Sequence, residues 1–345
     1  MPGLVGVITK MPRDRAERQL NLMVGVMRHE ESYRTGTWID ERLGVYTGWI
    51  IREGSSSDGL PIVNEREDVV LLFCGEEYPA PDRCEQLRQR GHRIDKEGIS
   101  SLVHVYEEDP AFPASLNGRF QGFLTDRARG TSVLFNDRYG MSRIYYYDTK
   151  DAFYFAAEAK AILAVCPELR ETDPRGVGEF IACGCVLENR TFFKDLKILP
   201  PGAAWSFRNG FLEKAHTYFD PKEWEEQSPL TPDDYYQELR TVLVENLPRY
   251  FGRGERIGMS LTGGLDTRII MAFHKAVPGE LPCYSFGGMF RDCEDVVLAR
   301  KLAKAVEQPY KVISVGKEFL SRFSHFAERT VYLPAALVTG HCATG

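Results

Sequence analysis

Apolar spacing divides the chain into two regimes. In the first, short apolar stretches dominate, and residues 3–8, 42–52, 69–75, 120–126, 132–136, 144–148, 152–156 and 202–207 read as strands. Residues 16–27 carry apolar positions at helical spacing, and 82–90, 99–106 and 158–165 read as shorter helices. Residues 218–234 are proline-rich and acidic, the composition of a linker. Beyond them the pattern changes to alternating helix and strand. Helices are expected over 235–247, 269–276, 294–306 and 318–329, and strands over 256–260, 282–286 and 311–315. That alternation predicts a parallel α/β sheet. The expected divisions are 1–217, a linker at 218–234, and 235–345.

Composition narrows the classes. With 345 residues, 43% hydrophobic and 27% charged, each of two domains can bury an ordinary core. The net charge of −6 offers no broad nucleic-acid surface. No apolar run approaches the ~18 residues of a membrane helix. The start, MPGLVGVITK, lacks the pattern of a signal peptide. The cysteines (Cys74, Cys84, Cys166, Cys183, Cys185, Cys283, Cys293 and Cys342) are scattered, and free thiols in a cytoplasmic protein are the expectation. His274, His325 and His341 stand singly and read as surface or core residues rather than metal ligands. Glu107, Glu108 and Asp109 read as a solvated face.

The most informative stretch is RIGMSLTGGLDTR, residues 256–268. A short strand leads into Thr262, Gly263, Gly264, Leu265, Asp266 and Thr267, and an apolar helical run follows. Adjacent glycines let the backbone turn tightly and bring its N–H groups against a ligand. A helix opening just after the turn favours an anion such as phosphate. Asp266 either holds the loop or faces a Mg²⁺ ion. The spacing is neither the P-loop nor the Rossmann pattern. It resembles the SGGxDS pyrophosphate loop of ATP pyrophosphatases, with Thr262 and Thr267 in the serine positions. The plain alternative is an ordinary strand-to-helix turn.

The N-terminal half resembles the glutaminase domain of asparagine synthetases. VVLLFCGEEY (69–78), LNGRFQGFLTD, NDRYGMSRIYY and FAAEAKAIL within 116–164, and LKILPPGAAWSF carry the likeness, in the family's order. The resemblance implies an N-terminal-nucleophile-type αββα sandwich, followed by an adenine-nucleotide α-hydrolase-like (ATP pyrophosphatase) parallel α/β domain, here incomplete. In the second half, Leu261 matches the residue before the glycine loop that lines the nucleotide site. Ser285, Phe286 and Gly287 resemble the strand whose backbone holds adenine. For Phe286 a place in the core is the equal alternative.

Departures from the family decide the functional expectation. The nucleophile of the active family is an N-terminal cysteine; here Pro2 stands in its place. The family's oxyanion asparagine is Cys74, and only Gly75 and Glu76 of that turn remain. The acid that binds the glutamine amine falls near Gly98–Leu102, where there is none. This degenerate glutamine site implies lost glutaminase activity. The resemblance then implies an ATP- and Mg²⁺-dependent ligase that adenylates a small-molecule carboxylate and passes it to ammonia or an amine. The other readings are a lactam-forming synthetase of the β-lactam or lasso-peptide type, acting within one substrate such as a peptide, and a non-catalytic nucleotide-binding homologue. Neither nucleic acid nor membrane is an expected partner, and a homodimer is left open. Asp137–Arg138 is expected to be a structural turn. The family's acidic Ser-Gly-x-Gly-x-Asp-Glu loop has no counterpart, since the nearest segment, 338–345, has glycines but no acid. The expectation is therefore a fragment or natural truncation that folds its sandwich, binds ATP weakly and turns over nothing.

Overall fold

A computed structural model describes residues 2–55, 57–94, 98–252 and 257–332. Segment 338–345, with His341 and Cys342, lies outside the described residues, as does Arg256. The chain forms two compact units that divide between Glu225 and Glu226.

The first unit begins with β1 (Gly3–Thr9), α1 (Arg13–Met27), β2 (Tyr33–Asp40), β3 (Val45–Arg52), β4 (Ile62–Val63) and β5 (Val69–Glu77). It continues with α2 (Arg83–Gln89), α3 (Leu102–Glu108), β6 (Gly118–Asp126), β7 (Thr131–Asn136), β8 (Tyr145–Asp148) and β9 (Ala152–Ala156). After α4 (Ala159–Val165) and α5 (Pro174–Cys183) come β10 (Lys197–Ile198), β11 (Ala204–Arg208), β12 (Phe211–Lys214) and α6 (Lys222–Glu225). Among the described residues these strands make two six-stranded sheets, in the orders β10-β8-β9-β1-β3-β2 and β12-β11-β7-β6-β5-β4. Every pairing within them is antiparallel.

Side-chain alternation builds three apolar layers from these sheets. On β1, Val5 and Val7 pack with Leu20 and Met23 of α1 and Ile162 of α4. Leu4 and Ile8 of the same strand face the other way, against Leu72, Cys74 and Phe123 of the second sheet. That sheet turns Leu71, Phe73 and Phe120 outward onto Leu87 of α2 and Leu102 and Val103 of α3. Helix, sheet, sheet and helix are thus stacked as an αββα sandwich, the fold expected for this half. Two-sided burial also explains why β5 opens as a continuous apolar run, Val69–Cys74, instead of an alternating one.

Elements that escaped the sequence reading lie where burial is one-sided or absent. The strand β2 ends its sheet, and its sequence YRTGTWID mixes exposed and buried positions. Helix α5 starts at Pro174 behind an Asp173 cap and buries almost none of its length. The expected linker is structured at both ends. Tyr218 donates its hydroxyl to the Asn136 carbonyl at 2.7 Å and its N–H to that of Gly202 at 2.7 Å. Phe219 and Trp224 pack edge to face, their ring centroids 5.2 Å apart. At the other end Thr231 caps the next helix.

The second unit holds α7 (Pro232–Phe251), β13 (Met259–Ser260), α8 (Leu265–His274), β14 (Cys283–Gly287), α9 (Glu294–Ala305), β15 (Tyr310–Ser314), α10 (Lys317–Ser321) and α11 (Phe323–Tyr332). Its strands run parallel in the order β13-β14-β15. Leu261, Met271, Cys283 and Ala299 form its core. All seven cysteines of the described residues are free thiols. No helix of the described residues is long and apolar enough to cross a membrane.

One turn of the sandwich rests on a single carboxylate. Buried Asp137 accepts backbone N–H groups from Phe120 (3.3 Å), Tyr139 (3.2 Å), Met141 (2.9 Å) and Ser142 (2.8 Å). The neighbouring Arg138 turns away, donating to the Ala114 carbonyl at 3.2 Å and lying over Phe219. The turn is structural, and the carboxylate acts through the backbone. Asp137→Ala takes the acceptor from the buried Phe120 N–H and from three part-buried turn N–H groups, so urea unfolding of the sandwich is expected to show a loss of about 1–3 kcal/mol. A loss below about 0.5 kcal/mol would mean that water replaces the carboxylate at no cost.

Candidate functional site

The head of β1 is where a glutaminase of this fold would place its nucleophile. Pro2, half-buried, precedes Gly3 there. Its side chain carries no thiol or hydroxyl. The strand behind it is held firmly. Leu4 donates its N–H to Gln121 Oε1 at 2.9 Å, and Gln121 Nε2 donates to the Arg143 carbonyl at 2.6 Å. A side chain on Gly3 would meet Ala157 Cβ at 2.3 Å and Gln121 Oε1 at 2.8 Å. Gln121 joins the two sheets at this end and was missed in the sequence. Its signal was a lone amide in the apolar strand FQGFLTD.

Cys74 sits in the layer between the sheets, not in an opening. It packs among Leu4, Leu72 and Phe155. Burial pushes its thiol far above the ordinary range, so the thiolate is not populated at neutral pH. Gly75 has φ +131°, and an added Cβ would lie 2.2 Å from the Arg119 carbonyl oxygen, so only glycine fits. Glu76 is exposed and accepts the Tyr78 hydroxyl at 2.6 Å. The next residue, Glu77, is buried and paired with Arg83 through two bonds of 2.7 and 2.6 Å. In the segment where the family's acid would fall, buried Ser101 donates to the Gly98 carbonyl at 2.7 Å.

The glycine loop of the second unit follows β13 at its carboxyl end and opens α8. Leu261 is fully buried, and its backbone ties the loop to β14: its N–H donates to the Tyr284 carbonyl at 2.8 Å, and its carbonyl accepts the Ser285 hydroxyl at 2.6 Å. Leu261 and Ser285 therefore hold the loop with side chains turned to the core. Thr262 Oγ1 accepts the Gly264 N–H at 3.0 Å and lies 3.5 Å from Thr267 Oγ1. Leu265 and Asp266 are exposed in the first turn of α8. Phe286 is 60% exposed, which removes the core alternative, while Gly287 lies under Val312, 2.6 Å from where a Cβ would be.

The two glycines are needed for space. Neither has a positive φ. A Cβ on Gly263 would meet Leu298 Cδ1 at 2.8 Å and Asp295 Oδ1 at 2.9 Å. That Asp295 carboxylate, which the sequence reading passed over, accepts the Gly263 N–H at 2.7 Å. Both glycine N–H groups are thus bonded within the protein, Gly263 to Asp295 and Gly264 to Thr262, and a phosphate at this helix start would have to take their place. For Mg²⁺, which binds through one or two carboxylates plus phosphate oxygens, the nearby acids are Asp266 at the start of α8 and Asp295 at the start of α9.

The remaining candidates resolve simply. His274 stacks on Phe251 at 3.6 Å between centroids, and His325 packs on Phe326 at 5.5 Å. The solvated face expected at Glu107–Asp109 holds for Glu108, which is exposed, but not for Glu107. Glu107 is mostly covered and bonded to Asn64, Arg66 and His104.

Comparison with known proteins agrees with this arrangement. Residues 1–219 match the model of the glutamine amidotransferase domain. The sandwich therefore defines a protein of the glutamine amidotransferase class. Within that class, the chain belongs to the asparagine synthetase family. It is 26% identical to the glutamine-hydrolyzing asparagine synthetase 1 of Bacillus subtilis (strain 168) over 330 residues, 91% of this chain and 50% of that protein. Asparagine synthetases 3 and 2 of the same organism are 27% and 23% identical, over 63% and 79% of this chain and 36% and 38% of their own lengths. The chain thus spans half or less of the length of these relatives.

A family member with Pro2 at the head of β1 and Cys74 in the core is expected not to hydrolyse glutamine. Incubation with glutamine should release no glutamate above buffer, and Cys74→Ala should change nothing. Glutamate release abolished by Cys74→Ala would show that the thiol reaches solvent and reacts.

Proposed function

We propose that this chain belongs to an ATP-dependent amide-forming ligase that has lost its glutaminase step. The observation that carries the reading is the loop Thr262–Thr267, set at the carboxyl end of a parallel strand and opening a helix, in a chain whose first domain keeps the amidotransferase sandwich without its nucleophile. In this reading the Gly263 and Gly264 N–H groups, the hydroxyls of Thr262 and Thr267 and the start of α8 seat the pyrophosphate of ATP. The pyrophosphate takes over the Gly263 N–H from Asp295, and Asp266 is the acid offered to Mg²⁺. Phe286, exposed at the end of β14, offers an aromatic surface beside the nucleotide, with Gly287 behind it. ATP supplies the leaving group that activates a carboxylate, and Mg²⁺ neutralises phosphate charge. Without a glutaminase nucleophile, the acceptor nitrogen comes from free ammonia or from an amine on the substrate.

Asp266→Asn is expected to weaken Mg·ATP binding roughly ten- to hundredfold, the scale of one lost bond to a charged ligand, with the thermal transition unchanged. Isothermal calorimetry measures it. Gly264→Val should remove binding, because its side chain would enter the space beside Thr262. ATP–pyrophosphate exchange with a panel of amino-carboxylates then reports the acyl substrate. If both variants bind Mg·ATP like the unmodified chain, the loop is only a turn and the reading fails.

A further inference from the structure

On the outer face of the sandwich, away from β1, four side chains converge that the glutamine site does not use. Glu65 comes from the turn between β4 and β5, His92 follows α2, and His104 and Glu107 lie one turn apart on α3. One ligating atom from each lies within 4.8 Å of all the others. Glu107 Oε2 is 3.0 Å from His104 Nδ1 and 3.6 Å from His92 Nδ1, and Glu65 Oε2 is 3.6 Å from His104 Nδ1. A tetrahedral zinc ion with bonds of about 2.0–2.1 Å needs ligand atoms about 3.3 Å apart. These three separations bracket that edge, and the remaining pairs lie within 4.8 Å.

The outer atoms of this group are also held, as metal ligands usually are. His92 Nε2 meets Glu108 Oε1 at 2.9 Å. Glu107 Oε1 accepts Asn64 Nδ2 at 2.8 Å and Arg66 Nη2 at 3.1 Å. Glu65 Oε1 accepts the Arg93 N–H at 2.9 Å. Three of the four ligands thus have one atom fixed from outside and the other aimed inward.

We propose that Glu65, His92, His104 and Glu107 form a four-coordinate site for a divalent transition metal, with Zn²⁺ as the ion its two imidazoles and two carboxylates suit. Four ligands close the coordination shell, and the site joins the β4–β5 turn, the segment after α2 and α3. Its role is structural: it clamps the outer helical layer to the second sheet.

The test is a Zn²⁺ titration of residues 1–345 in competition with a chromophoric chelator, together with the visible spectrum after Co²⁺ loading. One equivalent of Zn²⁺ per chain is expected, and Co²⁺ should give the intense visible bands of four-coordination without thiolate charge-transfer bands. His92→Gln and His104→Gln should each weaken binding tenfold or more, Glu108→Gln about tenfold, and His274→Gln not at all. The Co²⁺ spectrum of the unmodified chain decides the matter even where His104→Gln fails to fold. Absence of stoichiometric binding, binding that survives His92→Gln unchanged, or thiolate bands placing the ion on cysteines such as Cys183 and Cys185 would each overturn the proposal.

Discussion

Burial of both faces of two antiparallel sheets is the constraint on which the first unit depends. Each sheet is apolar toward its partner and apolar toward its own helices, so neither is stable without its two neighbouring layers. The strand β1 lies inside its sheet between β9 and β3, with all seven residues buried. Its N-terminal end is fastened across the layers by Gln121, a polar group that survives burial because both ends of its amide are bonded. The architecture therefore presents the head of β1 accurately even though Pro2 brings no reactive atom to it.

That separation between scaffold and chemistry recurs. Gly75 keeps its left-handed backbone and its close approach to Arg119, which are demands of the fold. The neighbour that would have carried chemistry, Cys74, has become a small core residue. The retained acid of the turn, Glu76, faces solvent, while Glu77 spends its charge on Arg83. In the second unit the balance is reversed. The loop after β13 offers backbone donors and hydroxyls at a helix start, and the core groups beneath it, Leu261 and Ser285, serve to hold it. The polar cluster around Glu107 follows a third logic, since its groups satisfy one another across three segments of the outer layer.

The sequence by itself determined the main strands and helices of both units, the passage from an antiparallel to a parallel regime, and the glycine loop's place between a strand and a helix. Those are local signals: apolar period, proline and glycine position, and motif order. It also marked Pro2 and Cys74 as departures from the family's glutamine-site residues, but that the Cys74 thiol is shut in the core was decided by the packing of the two sheets. Only the tertiary structure decided the rest. It showed Phe286 exposed and Leu261 buried, though both are apolar residues at strand ends, because exposure depends on what packs above them. It showed Gly263 required for space beside Asp295 and Leu298, residues more than thirty positions away. Asp137 became the anchor of a turn, and the acidic run at 107–109 became part of a cluster with Glu65, His92 and His104. Those partners are distant in sequence, and antiparallel pairing with layer stacking is what brings them within bonding distance.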